Sequence, residues 1–162
     1  MGRGRATLQV PRGNFRHRAG GGHKVQLIKP QTYMNRSGEC VGQIFSFYQC
    51  EPTDLVVIHD DLDLPPFTLR IKTGGGTGGH NGLKSLEAHL GAKAMGYHRV
   101  RIGIGKPGQA HAPVEHVLDL IPDEDLDRLP ALFEDLGVAV DMILAGQAPE
   151  AMNRFNGPSR VE

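Results

Sequence analysis

Residues 55–83 read LVVIHDDLDLPPFTLRIKTGGGTGGHNGL, and the changes of period within this stretch decide the fold. LVVIH at 55–59 is a short continuous apolar run, which predicts a strand buried on both faces. FTLRIK at 67–72 alternates, as a strand with one core face does. After the glycines, Asn81 opens a helical pattern, with Leu83, Leu86 and Leu90 three and four residues apart and Gly91 to stop it. Working outward, YHRVRIGIG at 97–105 alternates as a further strand. KVQLIK at 24–29 does the same, with a hairpin back to FRHR at 15–18. Ser37 is placed to cap a helix carrying Cys40, Val41, Ile44, Phe45 and Tyr48 on one face. Pro122 and Asp123 begin a final helix through Leu126, Leu129, Phe133, Leu136, Val140 and Leu144. Strands alternating with helices predict an α/β domain, one sheet with helices on its faces.

The totals bound the function classes. At 162 residues the chain is one domain's worth, and 39% apolar content suits a globular protein. Net charge is zero, so no global field favours a polyanion. The distribution is uneven, however: residues 1–38 hold eight Lys or Arg and no carboxylate, whereas 115–135 hold eight carboxylates and one Arg. A basic side facing nucleic acid or phosphate is compatible with that split, as are ordinary solvated faces. Cys40 and Cys50 lack any ligand-like spacing and read as reduced thiols of a cytoplasmic protein. No apolar run approaches the roughly 20 residues of a membrane span. The Arg- and Gly-rich start has no apolar core, so it does not read as a secretory signal, and residues 1–22 are expected to be poorly ordered.

Three segments carry polar chemistry. HDDLDLPP at 59–66 follows the buried strand, where α/β sheets place ligands. Strand alternation turns Asp61 and Asp63 one way and Asp60 the other, and His59 away from Asp60. That argues against one shared metal cluster, and no partner motif completes a two-metal site. Asp63 reads as part of a solvated turn. Asp60, at the mouth of the strand, is placed to orient an imidazole or accept a proton. GGGTGGHNG at 74–82 permits positive φ and close approach of backbone to a ligand at a helix start. Its GxGxxG match is near-accidental among so many glycines, and His80-Asn81 stands where a nucleotide-binding loop needs Lys-Ser or Lys-Thr. Asn81 is open to two readings, helix cap or ligand contact. KPQTYMN at 29–35 offers Thr32, Tyr33 and Asn35 on a connecting loop, and taken alone is only a loop.

Taken in order, KPQTYMNRSG, HDDLDLPP, GGGTGGHNGLKSL and YHRVRIGIGKPG resemble bacterial-type peptidyl-tRNA hydrolase from about residue 13 to 156. Residues 1–12 stand as an unmatched start and 157–162 as a tail. The resemblance implies a three-layer α/β domain, a twisted mixed sheet with helices on both faces. It implies hydrolysis of the ester between peptide and tRNA by a cytoplasmic monomer, with peptidyl-tRNA as partner and no metal, cofactor or membrane. By matching position, Tyr33, Asn35 and Asn81 resemble substrate-binding residues, and Asp60 the carboxylate that orients the catalytic histidine. Lys72 and Arg101 match positions that hold the tRNA's terminal phosphate, and 114–121 falls on a mobile lid.

The sequence also departs from the family. Family members open with a strand and turn of the type GLGNPGxxYxxTRHNxG, which carries the water-activating histidine, and nothing here matches it. The sheet is therefore expected to lack its first strand. His17 and His23 belong at the wrong end of the sheet, since six extended residues span about 20 Å. His80 is the nearest candidate base, with a structural or RNA-contact role weighed above it. The alternative function is a non-catalytic RNA-binding module that kept the cradle.

Overall fold

The computed structural model describes residues 25–91, 95–107 and 113–157. Three strands form one mixed sheet in the order β1-β3-β2: β1 (Val56–Asp61), β2 (Leu69–Thr73) and β3 (His98–Gly103). β1 runs parallel to β3 with His59 opposite Arg101, and β2 runs antiparallel with Lys72 opposite Arg99. Among the described residues five α-helices accompany it: α1 (Ser37–Phe47), α2 (Asn81–Leu90), α3 (Pro113–Leu118), α4 (Leu129–Leu144) and α5 (Ala148–Phe155).

The sheet separates two apolar layers, as period-two alternation requires. On one face Leu69, Ile71 and Val100 pack with Leu132, Ala139 and Ile143 of α4 and Ala148 and Ala151 of α5. On the other, Tyr97 and Val57 meet Val41 and Phe45 of α1 and Leu83, Leu86 and Leu90 of α2. This is the three-layer α/β arrangement expected. α1 crosses α2 closely enough for the amide of Gly38 to donate to Ser85 Oγ at 2.9 Å, in a buried position. The outer edge of β2 is closed by a side chain: Asn156 accepts from Ile71 N–H and donates to Ile71 C=O, both at 2.8 Å. An amide offers the same donor and acceptor pair as a neighbouring strand, so it stops the ladder without extending it. No helix among the described residues is long and apolar enough to cross a membrane.

Several expectations are corrected. LVVIH is not buried on both faces: β1 is an edge strand among the described residues, and Ile58 remains 43% exposed. Residues 25–29 form no strand, and among the described residues no neighbour offers them a ladder. His17, His23 and the hairpin to 15–18 lie outside the described residues. Ser37 is the first helical residue of α1, not its cap, because a 3-10 turn over Met34–Arg36 runs straight into the helix. Its hydroxyl donates back to Met34 C=O at 2.9 Å. On α1, Tyr48 faces outward at 57% exposure while Val41, Ile44 and Phe45 are buried.

The helix expected from Pro122 and Asp123 through Leu144 starts later, and a further helix follows it. Residues 123–128 form a 3-10 segment, α4 begins with Pro130 in its first turn, and Gly146 at φ +77° ends it before Pro149 starts α5. The α4 face that meets the sheet runs through Leu132, Leu136, Ala139 and Ile143, and Phe133 points outward.

Candidate functional site

β1, the glycine loop, α2 and α3 enclose a cleft of about 750 Å³. Tyr33, Asn35, Asp60, Lys72, His80, Asn81 and Arg101, singled out from separate parts of the sequence, all line it. Tyr33 and Asn35 arrive on the turn leading into α1, and Asn81 on the first turn of α2. The α1–α2 crossing therefore brings the two amides to one opening. Val114, Val117 and Leu118 of α3 form an apolar wall opposite.

At the centre, His80 Nε2–H donates to Asp60 Oδ1 at 3.0 Å. The other ring nitrogen, Nδ1, accepts from the amides of Gly82 and Leu83 at 3.1 and 3.2 Å. His80 is thus the N-cap of α2, and its tautomer is set from both sides: a proton on Nε2 and a lone pair on Nδ1. Of the two readings of Asn81, the capping one falls to its neighbour, which leaves the Asn81 side chain exposed in the cleft. An imidazole whose lone pair already receives two amide protons positions a carboxylate; it has no free nitrogen with which to deprotonate water. The hydrogen bond from His80 is the main cause that holds the Asp60 carboxyl below the usual carboxylate range, against the opposing effect of burial.

His80→Ala should therefore cost about 1–2 kcal/mol of stability through the lost cap, and His80→Asn should regain most of it. Urea unfolding of the two variants checks this; equal losses in both would put the cost elsewhere than in the cap.

Alternation fails at the end of β1. His59, Asp60 and Asp61 all line the cleft, because it opens at the carboxyl end of the strand, where either parity can reach it. His59 donates from Nδ1 to Asp60 C=O at 2.7 Å, and its ring meets that of His80 edge-on at 5.0 Å. Asp61 accepts from Arg101 Nε at 2.7 Å. Burial pushes the Asp61 carboxyl up, and the bonds from Arg101 and the Asp63 amide outweigh it and bring it below the usual range. Asp63 pairs with Lys106 at 3.3 Å, both well exposed, as a solvated turn would have it. Among the described residues no group of three His, Cys, Asp or Glu is placed to hold a metal.

Burial lowers the pKa of His59 and of His98 below the ordinary 6.5. Both protonate more readily unfolded, so their contribution is full above pH 6.5 and is lost as pH falls below it. Asp60 and Asp61 are held below 3.8, and their contribution persists until pH falls beneath that value. Stability is expected to fall in two steps on acidification, one below pH about 6.5 and one below pH about 4. In His59→Gln the first step should shrink to the His98 share. Urea midpoints measured across this range test it, and an unchanged first step in the variant would remove His59 as its source.

Residues not singled out from sequence include His59, Asp61 and Arg99. Arg99 is 3% exposed beneath the glycine loop. A charged residue alternating with apolar ones in YHRVRIGIG reads as solvent-facing, and only the loop folding over it shows otherwise.

Fold and cleft together define an α/β protein with its main described cleft at the carboxyl end of two parallel strands, furnished with a carboxylate–imidazole pair, two amides and cations. The chain belongs to the peptidyl-tRNA hydrolase family, whose sequence profile, described as Peptidyl-tRNA hydrolase, matches residues 5–162. It is 52% identical over 135 residues to the peptidyl-tRNA hydrolase of Rhizobium rhizogenes, covering 83% of this chain and 56% of that one. The Acinetobacter baumannii enzyme is 42% identical, covering 83% and 68%. A crystal structure of peptidyl-tRNA hydrolase from Acinetobacter baumannii superposes with a TM-score of 0.76 at 41% identity, over 86% of this chain and 70% of that one. The chain thus spans about half the length of the rhizobial relatives it matches.

Proposed function

We propose that the protein hydrolyses the ester between a peptide and the terminal ribose of tRNA, acting as a cytoplasmic monomer within the domain at 13–156. The observation that supports this most directly is that Asn35, Asp60 and Asn81 line one cleft with the Asp60–His80 pair at its centre. In the reaction, water adds to the ester carbonyl carbon, the bond from that carbon to the ribose oxygen breaks, and a proton returns to the oxygen. Asn35 and Asn81 each offer a donor and an acceptor, which suits a peptide backbone whatever its side chains. Asp60, held ionised by His80, accepts from the attacking water and orients it. Lys72 and Arg101 take phosphate, Arg101 sharing its guanidinium with Asp61. Tyr33, 82% exposed at the rim, supplies a surface for a base or a peptide side chain.

The test is incubation with peptidyl-tRNA, following free tRNA alongside binding. Release of tRNA supports the hydrolase. Binding without release would overturn it in favour of the RNA-binding module, a reading that draws on His80 having both ring nitrogens engaged. Lys72→Ala is expected to weaken tRNA binding and lower the slope of log K against log salt by about 0.9. Titrations at several salt concentrations measure it, and an unchanged slope would remove Lys72 from the phosphate contacts.

A further inference from the structure

The β2–β3 pair turns two cations to the same face: Lys72 stands directly opposite Arg99. Like charges in that position repel. Lys72 has no ion-pair partner among the described residues. Arg99 faces Glu87 at 3.5 Å but gives its closer bonds to main chain, donating from Nη1 to Gly76 C=O at 2.7 Å and from Nη2 to Gly75 C=O. Its guanidinium also lies over the Tyr97 ring, 4.7 Å from the centroid.

This bonding sets the loop's orientation. There are no cis peptides among the described residues, so each amide N–H points opposite to the carbonyl of its own peptide plane. With the carbonyls of Gly75 and Gly76 drawn inward to the buried guanidinium, the N–H groups of Gly76 and Thr77 are turned away from it. Neither makes a backbone hydrogen bond among the described residues, and both residues line the cleft. The Lys72 ammonium lies against the same stretch: a Cβ on Gly75, at φ +87°, would meet Lys72 Nζ at 2.5 Å.

We propose that Arg99 is a positioning residue which, by holding two loop carbonyls, aims the Gly76 and Thr77 amides outward beside Lys72, and that this corner receives a phosphate oxygen of the RNA. The inference rests on the proposed function for the source of the phosphate. Arg99 touches no substrate; it acts through the loop. Lysine keeps the charge but has no planar fork with which to hold two carbonyls at once.

The test follows amide shifts of Gly76 and Thr77 in ¹H–¹⁵N spectra during titration with inorganic phosphate. It is paired with binding of an acceptor-stem RNA hairpin carrying a 5′ phosphate or a 5′ hydroxyl. In the wild type both amides are expected to shift, and the phosphorylated hairpin to bind better. In Arg99→Lys the two shifts should vanish and the preference for the phosphorylated hairpin fall about tenfold, with other cleft amides unmoved. Thr77→Pro deletes one donor without touching Arg99 and should reduce the same preference, which keeps the test decisive where Arg99→Lys fails to fold. Wild-type amides that ignore phosphate, or a full response in Arg99→Lys, would overturn the proposal. Absence of peptidyl-tRNA cleavage and binding in the wild type, with the response to inorganic phosphate intact and lost in Arg99→Lys, would sink the proposed function and RNA as the phosphate's source, and leave standing the anion-binding corner that Arg99 positions.

Discussion

Gly38→Ala is expected to lower stability by about 3 kcal/mol, near the top of the range for forcing atoms into a packed site. For a domain of this size that is a fall in melting temperature of roughly 10 °C. The added Cβ would lie 2.0 Å from Ser85 O, 2.4 Å from Ser85 C and 2.7 Å from His89 Nδ1. Two of these are backbone atoms of α2, which no rotamer change can move. The helices must separate, and the bond from the Gly38 amide to Ser85 Oγ is lost with them. The consequence reaches the cleft, because Asn35 enters on the turn before α1 and Asn81 begins α2. Weaker tRNA binding should accompany the lower melt, and Ser85→Gly should not rescue it, since the clash is with main chain. A variant melting within about 2 °C of the parent would show that α1 and α2 do not pack this closely.

Asp60→Asn tests the chemistry with little change of shape. The amide keeps an oxygen for His80 Nε2–H, so the cap on α2 and the ring orientation should persist, and unfolding should move little. What disappears is the negative charge that accepts from water. Turnover of peptidyl-tRNA is expected to fall about 100-fold or more, within the usual range for proton-transfer groups, while tRNA affinity stays within a factor of a few. Single-turnover release of tRNA, with binding measured in parallel, separates the two effects. Undiminished release would discredit the role given to Asp60.

The parts of the fold that were legible in sequence are those where one period dominates. FTLRIK and YHRVRIGIG alternate cleanly, and both become strands with Leu69, Ile71 and Val100 in the core. Leu83, Leu86 and Leu90 lie on the buried side of α2 as spaced. KVQLIK alternates equally well yet forms no ladder with the described residues over 25–29, because a strand needs a neighbour and local pattern does not supply one. α4 was read in part: Leu129, Leu136 and Val140 pack against the core as spaced, but its apolar surface is wider than one stripe, and only docking on the sheet selects Leu132 over Phe133. α5 lies beyond the periodic pattern, which ended at Leu144; Gly146 and Pro149 were its only local signals, and its short apolar face added little to them.

Within the site, sequence order could name Asn35, Asp60, His80 and Asn81 but not their relations. Which of two adjacent residues caps α2 is settled by geometry: His80 places one ring nitrogen over the amides of Gly82 and Leu83 while the other meets Asp60, and that leaves Asn81 to the cleft. Arg99 was invisible because its partners, the carbonyls of Gly75 and Gly76, carry no side-chain signature.

By itself, then, the sequence determined residue chemistry and local period: the strands over FTLRIK and YHRVRIGIG, the buried side of α2, the glycines that crowd before His80-Asn81, and which family the ordered motifs resemble. The tertiary structure alone decided the order of the described strands, which face of α4 is buried, which nitrogen of His80 holds the proton, and that Lys72 and Arg99 stand side by side. The reason is physical. Periodicity is a property of neighbours in the chain, whereas hydrogen-bond direction and charge proximity belong to groups up to 85 residues apart, such as Asn156 on Ile71, that meet only once the chain has folded.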